Sequence, residues 1–95
     1  DAFAALGLEL EAVDAKVLKK LDIDNGVRVK ALGNGRVARY TEIREGFIIT
    51  KVNDVAVNSV KEVIELLQKK KSGELIILSG TYEDLPREFN YAFRM

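Results

Sequence analysis

Turn-forming residues cut this chain into short pieces, and that punctuation limits what it can build. Gly7, Asp24-Asn25-Gly26, Gly33-Asn34-Gly35, Gly46, Asn53-Asp54, Gly73 and Pro86 fall along the 95 residues, and the segments between them follow two different periods. Leu8, Leu10 and Ala12 alternate with Glu9 and Glu11, which predicts a strand over about residues 6 to 13. "DAKVLKKLDI" predicts a helix, with Asp14 as N-cap and Val17, Leu18 and Leu21 on one face. The Asp-Asn-Gly turn leads into "VRVKAL", a second alternating strand. After Gly33-Asn34-Gly35, a short helix through Ala38, Tyr40 and Ile43 stops near Gly46.

"FIITKV" is more continuously apolar, the pattern of a central strand covered on both faces. Asn53-Asp54 turns it into the short "VAV". Ser59 and Glu62 then form a Ser-x-x-Glu capping box. The helix it opens runs to about Lys70, with Val60, Val63, Ile64 and Leu67 at i, i+3, i+4 and i+7. Lys69 to Lys71 suit its C-terminal dipole, and Gly73 its C′ position. "ELIIL" is a strand, "YEDLPR" a loop, and "EFNYAFR" a last strand with Phe89, Tyr91 and Phe93 on one face. Five or six short strands and two or three helices, not in βαβ alternation, indicate one α+β domain or small capped barrel over residues 1–95.

Residue types narrow the chemistry. Fifteen basic and fifteen acidic residues cancel, so no long-range field favours nucleic acid or an anionic membrane. No apolar run approaches the roughly 20 residues that span a bilayer. "DAFAALG" has neither the basic nor the apolar region of a signal peptide, and without an initiating Met it reads as the start of a domain excised from a longer protein. There is no cysteine, hence no disulfide, thiolate metal site or cysteine nucleophile. There is no histidine either, which removes the usual general base, the usual zinc ligand and the Ser-His-Asp triad. The expectation is a non-catalytic domain with no metal and no cofactor.

Three motifs tempt and fail. "GNGRVA", residues 33 to 38, fits a relaxed dinucleotide fingerprint, but its strand carries Arg28 and Lys30 and its helix is too short. "DIDNG", residues 22 to 26, begins like a calcium loop, yet the positions needing Gly and Glu hold Val27 and Gly33. Both read as turns. Lys69 to Lys71 read as a solvated helix end, and Ser59, Ser72 and Ser79 have no histidine partner. Gly7 at the strand's mouth means a bulge, a tight turn, or the close approach of another backbone or a ligand.

Taken in series, the segments resemble a PDZ domain in the circularly permuted arrangement of bacterial HtrA/Do-type serine proteases. "ALGL" at Ala5 to Leu8 matches the family's carboxylate-binding x-Φ-G-Φ loop, and "ELEAV" continues the ligand-pairing strand. "DAKVLKKLDI" matches the family's extra helix, "GVRV" its next strand, "REGFIITKVND" its G-D-x-I-x-x-V-N block, and "NSVKEVIELLQ" its groove helix. The series looks most like the second, C-terminal PDZ of a Bacteroidetes-type Do protease.

The resemblance implies that the N–H groups of Leu6, Gly7 and Leu8 hold a peptide carboxylate. The peptide would pair as an antiparallel strand along Leu8, Glu9 and Leu10, its last side chain in a pocket of Leu6, Leu8, Ile64 and Leu67, with Val60 and Val63 further along. Implied partners are C-terminal or unfolded peptide segments of substrates and other domains or subunits of the parent protease. Also implied are a monomeric isolated domain and the periplasm or cell envelope of a Gram-negative bacterium. Two positions depart from the family. Phe47 stands where many members have Asp, and Val60 where hydroxyl-selective members have His, so an apolar ligand residue suits Val60 better. A second reading makes this an assembly PDZ with an occluded groove and gives Phe47 to an outer docking surface.

Overall fold

The computed structural model describes residues 3–95. A single 3-10 turn, Ala4–Leu6, precedes six strands and three α-helices. In chain order these are β1 (Leu8–Ala12), α1 (Ala15–Leu21), β2 (Val27–Leu32), α2 (Arg36–Tyr40), β3 (Ile48–Val52), β4 (Val55–Ala56), α3 (Val60–Gln68), β5 (Leu75–Thr81) and β6 (Phe89–Arg94). All strands pair antiparallel in one sheet of order β1-β2-β3-β5-β6, with β4 attached to β3. The sheet does not close: β1 and β6 are its outer strands.

The apolar run of β3 lies at the centre, as its sequence requires, with Ile48, Ile49 and Val52 buried. In β2 the buried Val27 and Val29 alternate with Arg28 and Lys30. Those cations pair across to Glu11 and Glu9 of β1, each at 3.7 Å. Pairing runs from Leu8 opposite Leu32 and Glu9 opposite Ala31 to Leu10 opposite Val29. Lys30 is therefore the extra residue of a β-bulge in β2. Asn53 and Asp54, with φ of 47° and 66°, make the left-handed turn of the β3–β4 hairpin. The Asn53 side chain also ties that turn to β5, donating to the Leu75 carbonyl and accepting the Ile77 N–H at 2.6 Å.

The Ser59 cap forms, with the return bond of the box made one residue earlier than expected. Ser59 Oγ accepts the Glu62 N–H at 3.2 Å, while Glu62 Oε1 accepts the Asn58 N–H at 2.7 Å. Such a cap is worth about 1 kcal/mol. Other ends differ from expectation. Asp14 stands at the α1 N-cap, but its side chain makes no capping bond; its carbonyl accepts the Val17 and Leu18 N–H groups. The α2 helix stops at Tyr40 because Thr41 is extended and its hydroxyl bonds back to the Val37 carbonyl at 2.6 Å. Gly73 lies in the turn before β5 rather than at the C′ position of α3, whose C-cap is Lys69.

Phe47 overturns its assignment to a docking surface: it has no accessible area. Its ring lies 5.1 Å from that of Tyr82 and 5.0 Å from that of Tyr91. The Tyr82 hydroxyl accepts the Arg44 N–H at 3.1 Å and shares a 2.8 Å hydrogen bond with the Tyr91 hydroxyl. Burial, then the Tyr82 hydroxyl, pushes the Tyr91 phenol well above its ordinary range. The physical reason is supply: β5 and β6 bring two tyrosines to this spot, and full burial of a phenylalanine beside them stabilises by about 1.5–3 kcal/mol.

Candidate functional site: the edge of β1 beside α3

The register of β1 decides which way its backbone points. Gly33 N–H donates to the Gly7 carbonyl at 2.8 Å, so Leu8 and Leu32 are a non-hydrogen-bonded pair. The main-chain groups of Leu8 therefore turn away from β2. Val29 directs its N–H to Phe47 O at 2.7 Å and accepts the Gly46 N–H at 2.8 Å. Opposite it, Leu10 likewise presents its N–H and C=O outward. Among the described residues no strand pairs with that side, and α3 packs alongside it. An unpaired edge flanked by a helix is the geometry in which an extended peptide adds a strand.

The nine residues singled out from the sequence divide into two groups. Leu6, Val63 and Leu67 have no accessible area, and Leu8 keeps only 9%. Gly7, Leu10, Val60 and Ile64 are half-buried, with Leu10 and Val60 packed against the core, and Glu9 is exposed. On α3 the i, i+3, i+4, i+7 stripe thus splits: Val63 and Leu67 face inward, Val60 and Ile64 lie at the margin. The turn groups are engaged as well. Leu6 N–H donates to Phe3 O at 3.0 Å and Gly7 N–H to Ala4 O at 3.3 Å, the two bonds that close the 3-10 turn.

The backbone that approaches Gly7 belongs to this chain. Gly7 sits at φ 72°, in the left-handed region, and a Cβ there would lie 2.8 Å from the Gly35 amide nitrogen. A Cβ on Gly35 would collide in turn with the Leu6 carbonyl and the Gly7 nitrogen. Two backbones touch here, and glycine on both sides lets them. Sequence reasoning took Gly35 only as part of a turn, since no local pattern links positions that far apart.

Elsewhere a surface hollow of about 170 Å³ lies between α1 and the loop after β5, lined by Leu21, Ile23, Thr50, Thr81, Pro86 and Arg87. It includes none of the nine residues. Among the described residues no cluster of His, Cys, Asp and Glu could hold a metal ion, and no helix is long and apolar enough to cross a membrane.

No family model matches the chain. A curated relative, a probable periplasmic DegP-like serine endoprotease of Marinomonas sp. (strain MWYL1), is 32% identical over 71 residues. That match covers 75% of this chain and 15% of the relative, so the chain spans a small fraction of that protein. Among solved structures, the HtrA3 PDZ domain bound to a phage-derived ligand superposes with a TM-score of 0.73 at 17% identity, covering 94% of this chain and 81% of that one. The HtrA-type protease AlgW with a decapeptide gives 0.80 at 16% identity, over 94% and 27%. With its open six-stranded sheet and its three helices, the chain has the PDZ fold and is similar to the PDZ domains of HtrA-type proteases.

Proposed function

We propose that this domain captures extended apolar peptide segments as an added strand on β1, beside α3, and presents them to a serine protease domain carried elsewhere in a longer chain. The observation that carries the reading is the unpaired outer edge of β1, with Leu10, Val60 and Ile64 half-buried next to it. Both structural neighbours are described with a peptide or ligand bound, which supports a peptide partner here. In this reading residues 1–95 form one recognition domain, monomeric in isolation, that lacks a triad of its own and leaves chemistry to its parent. The Marinomonas relative's description supports the periplasm as its compartment. Placement as the second PDZ of a Bacteroidetes-type protease rests on motif order alone.

A second reading has an observation in its favour. Leu6, Val63 and Leu67 are sealed, as an assembly PDZ with an occluded groove requires. The two separate in a fluorescence-anisotropy titration with a labelled pool of apolar decapeptides. Capture predicts saturable binding that is lost in an Ile64→Glu variant that remains folded by circular dichroism. Absence of binding at millimolar domain, with the fold intact by circular dichroism, favours assembly.

A further inference from the structure

Capture of an apolar segment leaves open what part of a chain is captured, and the closed 3-10 turn bears on that. A terminal carboxylate is held by converging N–H donors, usually helped by a cation. Here the Leu6 and Gly7 N–H groups already donate to the Phe3 and Ala4 carbonyls. Only Leu8 turns its N–H to the open edge. Residues 3 to 8 include no Lys or Arg. Arg36, next in the chain after Gly35, donates to the Arg94 carbonyl at 3.4 Å and lies over the Tyr40 ring.

Of the four residues expected to line a pocket for a last side chain, Leu6 and Leu67 have no accessible area and Leu8 keeps only 9%. Further along β1 the opposite holds. Leu8 and Leu10 present main-chain donors and acceptors, and apolar surface remains at Leu10, Val60 and Ile64. Main-chain pairing needs only an extended backbone, which any internal segment supplies.

We infer that the β1 edge takes internal extended apolar segments and does not read a chain terminus. This rests on the proposed strand capture and names the class of segment captured. The discriminating probe is one fluorescein-labelled apolar decapeptide in three forms: free acid, C-terminal amide, and the same ten residues embedded between Gly-Ser flanks. All three bind within about twofold of one another, and amide resonances shift at Leu8 and Leu10 but not at Gly7. Free acid binding ten times tighter than the amide, or a Gly7 amide shift seen only with the acid, overturns the inference while leaving strand capture standing. Failure of all three forms to bind overturns both.

Discussion

The turn that leads into β1 is closed at Leu6, and four residues on, at Leu10, the edge is open. Leu6 and Leu67 are fully buried and the 3-10 turn is internally hydrogen-bonded, whereas Leu10, Val60 and Ile64 keep surface. Both regions are built from aliphatic residues and α3 contributes to each, so hydrophobicity does not separate them. What separates them is the second layer: Gly35 presses its backbone onto Leu6 and Gly7, and among the described residues no strand pairs with the outer side of Leu10. A sealed region answers to substitution with lost stability and an open one with lost binding.

Substitutions sharpen that contrast. Leu67→Ala removes three buried carbon atoms at the sealed end and costs about 3 kcal/mol in urea unfolding. A loss below 1 kcal/mol would mean that this end is loosely packed. Gly7→Ala forces a side chain into a left-handed turn against the Gly35 amide and costs about 2 kcal/mol, with peptide affinity following the folded fraction. Affinity that collapsed while stability held would assign Gly7 to the ligand instead. Ser59→Ala removes the cap of α3 and lowers stability by about 1 kcal/mol. Ile64→Ala, at the open end, lowers stability by about 0.5–1 kcal/mol through partial loss of burial, yet weakens decapeptide binding severalfold by anisotropy. Equal effects of Leu67→Ala and Ile64→Ala on both quantities would erase the distinction.

The order of elements was legible in the sequence because local signals wrote it. The alternation of β2, the apolar run of β3, the Asn53-Asp54 turn and the Ser59–Glu62 box each act within a few residues. The site was legible only in outline. Periodicity put Val60, Val63, Ile64 and Leu67 on one stripe, but which pair lies inward depends on where the sheet meets α3. Gly35 beside Gly7, and Tyr82 with Tyr91 around Phe47, are long-range meetings that no local pattern announces. Phe47 was accordingly misassigned to a surface in the assembly reading. The 3-10 turn escaped for a different reason: "AALG" has no cap or period, and its two hydrogen bonds owe their geometry to the left-handed glycine that ends it.

The bulge at Lys30 acquires a mechanical sense once β1 is regarded as something pulled upon. A segment lying along an edge strand and tugged lengthwise loads the intervening hydrogen bonds in shear, all together, and passes the force to the β1–β2 ladder. In an even ladder β1 would resist by bond strength alone. Here the extra residue acts as a notch: slippage by one position would push the bulge out of its seat and turn Leu8 and Leu10 to the opposite face of the sheet. A β1 that captured a segment as proposed would thereby be keyed against sliding along β2.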